Sequence, residues 1–208
     1  MSPLFDQLGE FLPRFLAGMA VNFEIATIAI VVGLALGLLL ALARLSGRAL
    51  GVPATVVIGL MRAAPTFVVM FFLLNAIPRD AAIFGWKLNL TGVTAVAISL
   101  VPYSAAYVAD NAAGAIQQWR AGSHLGALLF LPNVTRAFCV LVMSSGAAAA
   151  IGVTEGISVI LRQAEHLPDL EDKLLLFALG IALFGIPLQA AFYLIRLLQG
   201  YLSRVMTR

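Results

Sequence analysis

The sequence predicts an all-α integral membrane protein with about five transmembrane helices, on three observations. Of its 208 residues, 62% are hydrophobic and 11% charged, where a soluble chain is nearer half apolar and a quarter charged. The apolar residues fall in blocks long enough to cross a hydrocarbon core of about 30 Å, which takes about 20 residues of helix. These blocks are continuously apolar and lack the period-two alternation of a membrane β-barrel strand. Soluble core helices are the plainer alternative, but so many long blocks leave too little polar surface to cover them. The spans read as 15–43, 52–77, 91–116, 125–151 and 174–198, within one membrane domain, 1–208.

An odd number of spans puts the termini on opposite sides, and Lys and Arg in the short loops set which is which. With the N-terminus outside, the inner segments carry Arg44, Arg48, Arg120, Arg136, Arg196, Arg204 and Arg208. The outer ones carry Arg14, Arg79, Lys87, Arg162 and Lys173, diluted by Asp6, Glu10, Asp80, Glu165, Asp169, Glu171 and Asp172. The expectation is N-terminus out and C-terminus in. The first block is not expected to be a cleaved signal: Asp6 and Glu10 stand where a basic leader would, and its apolar run exceeds the roughly 7–15 residues of a signal core. The net charge of +3 is a topology signal, since no basic stripe interleaved with aromatics marks a nucleic-acid partner.

The first span contains Gly33 and Gly37, a small-xxx-small pair that lets another helix approach closely and is read as subunit packing. Asn22 and Glu24 lie near its outer end, where the carboxyl group is either a snorkelling or interhelical residue or a transport ligand. In the second span Pro65 removes a backbone donor and is expected to kink or break the helix. Arg62 lies about one turn earlier and is expected to face a carbonyl, an acid or water. It either caps a broken helix or takes part in gating. The outer loop that follows carries Trp86 and Lys87, an interfacial anchor pair.

The third span has Pro102 in mid-block, where a second break is expected, followed by Tyr103, Tyr107 and Asp110. The two tyrosines are four apart and share a face, lining a polar path or bonding a neighbouring helix. The fourth block carries SSGAAAAIG, whose Ser144, Ser145, Gly146, Ala147, Ala148 and Gly152 form a small-residue face suited to a subunit neighbour. Glu155 follows, then an acidic stretch, LRQAEHLPDLEDK, read as a solvated loop or a docking surface for an external partner. Pro187 is a candidate kink in the last span, and Arg196 and Arg204 end it. Cys139 cannot form an internal disulfide and reads as a packing residue. His124 and His166 fall on opposite predicted faces and suggest no metal pair.

Enzyme chemistry is not encoded in recognisable form. There is no nucleophile–base pair with usable spacing, no metal-ligand cluster, no phosphate-binding Gly-rich loop and no dinucleotide fingerprint. No appended domain is expected, so any energy source must come from another subunit. A small helical bundle with broken helices and a few intramembrane polar groups is how a translocation path is built.

At this point the residues resemble a known family. GMAVNFEIATIAIVVGLALGLLLALARLS is similar to the first core helix of polar-amino-acid ABC importer permeases, the histidine, glutamate/glutamine, arginine and opine group. MRAAPTFVVMFFLLNAIP resembles that family's Arg-Gly-Thr-Pro helix, with Arg62 and Pro65 matching and Ala63 and Ala64 in the small middle pair. AISLVPYSAAYVADNAAGAI resembles its third helix, with Tyr107 and Asp110 before Gly114 and Ile116. EGISVILRQAE resembles the stretch leading into its last helix. The resemblance implies a type I ABC importer permease fold and a multi-pass protein of the bacterial plasma (inner) membrane, with no enzymatic activity of its own. It also implies a second permease subunit, a cytoplasmic ATPase dimer that binds ATP, and an external solute-binding protein. Asn22, Glu24, Arg62, Pro65, Tyr103, Tyr107, Asp110 and Glu155 are the candidate pathway residues.

One stretch departs from the family. Its inner loop after the third helix holds a Glu-Ala-Ala coupling segment, then a glycine, then Leu-Pro. Here Leu131-Pro132 is present, but Ile116 precedes Leu131 by about fifteen positions and no Glu-Ala-Ala lies between. The loop is short by roughly a dozen residues, or about three helical turns. A degenerate ATPase contact is expected at Gln118, Trp119, Arg120, Ala121, Gly122 and Ser123, with Leu131 and Pro132 behind it. Trp119 and Arg120 are expected on a brief turn at the membrane interface. Three functions remain open: one half of a heterodimeric amino-acid permease, a permease-derived scaffold or sensor, and an ion-coupled secondary transporter using Glu24, Asp110 or Glu155.

Overall fold

A computed structural model describes residues 3–76, 82–83, 86–87 and 91–206. Among the described residues eight α-helices follow one another: α1 Pro3–Leu45, α2 Arg48–Ala63, α3 Thr66–Ala76, α4 Gly92–Arg120, α5 His124–Ala127, α6 Phe130–Ser144, α7 Gly156–Glu165 and α8 Leu170–Met206. Between α3 and α4 a two-residue ladder pairs β1 (Ala82–Ile83) with β2 (Trp86–Lys87), antiparallel. The side chains of Trp86 and Lys87, and with them the anchor expectation, lie outside the described ones, as does Asp6. Among the described residues four helical segments are long and apolar enough to cross a membrane, and α2 with α3 forms a fifth if the bent pair counts as one span.

Helix α1 is organised by one stripe. Phe11, Phe15, Gly18, Asn22, Ile25, Ala29, Gly33, Gly37 and Ala41 recur at spacings of three and four and are all buried, as one face of a helix requires. At 43 residues the helix is about 65 Å long. It therefore runs past the hydrocarbon, and Leu8, Phe11 and Phe15 near its start pack into the core. Phe11 stacks on Phe15 at 5.5 Å, and Phe15 meets Phe184 of α8 edge-on at 5.5 Å.

The stripe's main partner is α4, whose buried face is rich in small residues, including Ala97, Ser104, Ala105, Ala109 and Ala112. In lipid there is little hydrophobic drive between helices, so close backbone approach and dispersion must hold the pair. A Cβ on Gly33 would lie 2.0 Å from Ser104 Oγ, and one on Gly37 would lie 2.6 Å from Val108 Cβ. The two glycines expected at a subunit contact thus serve the α1–α4 crossing inside this chain. α4 is the hub, with 61% of its most apolar window buried against 17% for α8, whose surface is left for lipid or partners.

Proline behaves differently at its several positions. At Pro65 the helix breaks: Ala64 is extended (φ −67°, ψ 116°) and α2 and α3 meet at 91°. A residue before proline is pushed out of the α region, and here it yields. At Pro102 the expected break is absent, and α4 runs unbroken through it. Val101 before it is buried, and packing on both sides of α4 holds the helical course against the local preference. α8 is likewise continuous through Pro187.

The fourth block is not one α-helix. After a turn at α5, α6 runs to Ser144, and Ser145–Ile151 winds as a 3-10 helix. Side chains at i and i+3 eclipse in that geometry, and a run of Ala and Gly makes the eclipse cheap. Gly152 at φ +80° ends it, with Gly152 N–H on Ala149 O (3.1 Å) and Val153 N–H on Ala148 O (3.1 Å), the Schellman pattern. The stretch read as an acidic loop is mostly helical: Leu161–Glu165 belong to α7 and Leu170–Lys173 to α8, leaving His166–Asp169 between them. Asp172 is buried there, 7% exposed. Cys139 is buried in α6.

Candidate functional site

The candidate pathway residues separate into two polar clusters. The first joins α1, the 3-10 segment and the start of α7. Asn22 and Glu155 are both fully buried. Asn22 Nδ2 donates to Glu155 Oε2 (2.7 Å) and Ser145 Oγ (2.8 Å), and Asn22 Oδ1 accepts from Gly156 N–H (2.9 Å). Glu155 also caps α7: Ile157 N–H reaches Oε2 at 2.9 Å and Ser158 N–H reaches Oε1 at 2.7 Å. The Ser158 hydroxyl in turn accepts from Glu155 N–H at 2.9 Å, closing a capping box. Every buried donor here meets an oxygen, so burying a carboxyl group in a bundle is compensated locally. Gly18 permits the approach, since a Cβ there would lie 2.8 Å from the Glu155 carbonyl carbon.

The second cluster sits where α1 ends. Arg44 Nη1 donates to Asp110 Oδ1 at 2.9 Å, and Arg62 Nη2 donates to Asp110 Oδ2. Arg62 stands at the C-terminal end of α2, just before the break at Pro65, so the break is tied by charge to α4 and through Asp110 to α1. At the next residue of α4, Asn111 Nδ2 donates to Tyr107 O (2.8 Å) and Asn133 Nδ2 of α6 donates to Asn111 Oδ1 (2.7 Å). Tyr103 and Tyr107 lie side by side at 6.1 Å between ring centroids, both half-buried against the core.

Asn22 and Arg44 lie on the same continuous helix, and their spacing corresponds to about 33 Å. That is close to the thickness of the hydrocarbon. Glu24 belongs to neither: it is exposed on α1. Of the three acids considered for ion coupling, Glu155 and Asp110 are engaged by several donors each. Arg44 was read only as a mark of the inner side, and Asn111, Asn133 and Ser158 were not singled out in the sequence; amides and hydroxyls inside apolar blocks were the available signal for those three.

The stretch expected to meet an ATPase is short and tightly closed. Ser123 N–H bonds Gln118 O at 2.9 Å, Gly122 N–H bonds Trp119 O at 3.0 Å, and Gly122 has φ +78°. This Schellman turn uses the terminal carbonyls of α4 and reverses the chain in three residues, Ala121, Gly122 and Ser123. Trp119 and Arg120 therefore close the last turn of α4 and do not lie on the turn itself. The Trp119 ring meets His124 edge-on at 4.3 Å. Trp119, Leu125 and Leu129 remain about half exposed around the one-turn α5. Leu131 and Pro132 fall in the first turn of α6.

Within the small-residue stretch, Ser145 and Ala148 are buried inside the chain, Gly146 and Ala147 are half-buried, and Ser144 and Gly152 are exposed. Gly146 packs on Ile157 of α7. Much of that face therefore serves internal packing. Among the described residues no group of His, Cys, Asp and Glu is placed to hold a metal ion.

No protein-family model matches the chain. Over 167 residues, 70% of this chain and 71% of the relative, it is 30% identical to the probable amino-acid ABC transporter permease protein YckA of Bacillus subtilis (strain 168). A solved structure titled as an amino acid ABC transporter with histidines has the same fold, with a TM-score of 0.73 over 97% of this chain and 100% of that one, at 21% identity.

Proposed function

The chain belongs to the amino-acid ABC transporter permeases, and from that premise we propose that it forms one half of the membrane path of an ATP-driven amino-acid importer. A permease of this kind is a multi-pass inner-membrane protein and not itself an enzyme. In the proposed assembly a second permease subunit completes the path, a cytoplasmic ATPase dimer binds ATP, and an external solute-binding protein delivers the amino acid. The N-terminus lies outside and the C-terminus inside. Asp110 works as the inner tie: it holds the α2–α3 elbow through Arg62 and α1 through Arg44, and opening the inner side requires the elbow to move against it.

The observation that shapes this reading is the closed turn at Gly122. A loop reversed by three residues offers the ATPase only the edge formed by Trp119, Leu125 and Leu129, so the partner permease carries the main coupling contact. The pair is accordingly a heterodimer. Co-expression with the ATPase and a second permease encoded beside it tests the arrangement: a complex containing all three is expected. A chain that purifies alone and stable, with no ATPase bound in any nucleotide state, sinks the proposal.

The same turn favours one second reading, a permease-derived scaffold that stabilises another membrane protein and transports nothing. Deleting the gene separates the two. Loss of amino-acid uptake supports the importer; unchanged uptake with a destabilised membrane partner supports the scaffold.

A further inference from the structure

The end of the bundle where α1 begins holds a cleft of about 510 Å³ between α1 and α7 that the transport reading leaves unused. Two arginines line it, Arg14 and Arg162, with His166 beside them and Ala17, Val21 and Val159 as an apolar floor. Among the described residues no carboxylate lines it. Arg14 has an exposed i,i+4 pair with Glu10 at 3.3 Å, a contact that solvent screens and an anion readily displaces. Arg162 donates one bond to Thr154 Oγ1 at 3.3 Å. Each guanidinium has five N–H donors, so most of the donors at this cleft are not used by the protein.

The surroundings narrow the chemistry. On α1 the cleft reaches from Val21, next to Asn22, to Arg14 about two turns nearer the N-terminal end, outside the stretch between the two clusters that matches the hydrocarbon thickness. A cationic mouth over an apolar floor of Ala17, Val21 and Val159 fits an amphiphile whose head is an oxyanion. Arginine forks match phosphate oxygens in particular.

We propose that this cleft is a phosphate-binding site held by Arg14 and Arg162, filled by the phosphodiester of a net-anionic phospholipid. The test uses the full chain in detergent, followed by its melting temperature, titrated separately with short-chain phosphatidylglycerol, short-chain phosphatidylcholine, inorganic phosphate and glutamate. Phosphatidylglycerol is expected to raise the wild-type Tm by about 3 °C or more beyond phosphatidylcholine, the size of shift expected from a site near saturation. That excess should vanish in Arg14→Gln/Arg162→Gln and persist in Arg14→Lys/Arg162→Lys. Ala17→Glu supplies a second variant that keeps both arginines but places an internal carboxylate in the cleft; it too should lose the excess.

An arginine-dependent rise with inorganic phosphate alone keeps the site and assigns it a free anion instead of a lipid. Equal shifts from the two lipids with none from phosphate, an excess that survives Ala17→Glu, or a response to glutamate alone overturns the proposal. The site does not depend on the transport reading, so its failure leaves that reading untouched.

Discussion

Replacing Asn22 by alanine tests the buried cluster that ties α1 to the start of α7. The side chain makes three hydrogen bonds, to Glu155 Oε2 at 2.7 Å, to Ser145 Oγ at 2.8 Å and from Gly156 N–H at 2.9 Å. Counted as in a soluble core, the bond to the carboxyl group is worth about 2 kcal/mol, the one to Ser145 about 1, and the orphaned Gly156 N–H costs about 1 more. Membrane bundles return less per bond, about 0.6 kcal/mol on average, because the unfolded helices find other partners in lipid. Three such bonds give about 2 kcal/mol as the lower bound, and the soluble count gives about 4. For a chain of this size that is a fall in Tm of about 5–15 °C. The assay is thermal unfolding in detergent, with Ser145→Ala and the double variant completing a cycle. Coupling between the two is expected, since Ser145 shares the Asn22 amide. A Tm for Asn22→Ala within about 2 °C of wild type, or strict additivity in the cycle, would refute the view that this cluster locks the helices together.

Three further outcomes follow from the same contacts. Gly33→Ala should destabilise the fold by about 1–3 kcal/mol through overpacking on Ser104, and Ser104→Gly should recover much of that loss in the melting temperature; no recovery means the clash is not the cause. Among the described residues the buried Ser104 Oγ has no hydrogen-bond partner, so Ser104→Ala alone should leave stability unchanged or raise it slightly, which the same melts check. Arg62→Asp and Asp110→Arg should each abolish uptake in reconstituted vesicles while costing only about 1 kcal/mol of stability, because both side chains are partly exposed. Because Arg44 also pairs with Asp110, the double exchange should restore part of the uptake once Arg44→Asp is added to reverse the third charge, and none restored argues against an inner tie.

The spans were legible because a continuous apolar block has one reading in lipid. The break at Pro65 was legible as well. Pro102 misled because a proline states only a local preference, whereas the packing of α4 against α1 and α3, which overrides it, comes from residues far along the chain. The 3-10 course of Ser145–Ile151 had a compositional trace, small residues, but small residues equally announce a helix contact. Asn22 and Glu155 are 133 positions apart, and no spacing rule joins them. Glu155 and Ser158 do spell a capping box read backwards, with the acid at the cap and the serine three residues on. An acid inside an apolar block had instead suggested a transport path. The loop departure was legible in its length, although not in its closure, which depends on Gly122 taking a left-handed conformation.

The long first helix joins the two polar clusters as a single rod. Between Asn22 and Arg44 it contains no proline, and its buried stripe is continuous, so it resists bending over that distance. Swinging such a rod by about 10° around its midpoint would carry each end about 3 Å, given about 33 Å between them. A hydrogen bond does not survive that displacement. The Asn22–Glu155 lock and the Asp110 tie therefore sit at opposite ends of one lever, and work done on either is delivered to the other without any relay of intervening side chains.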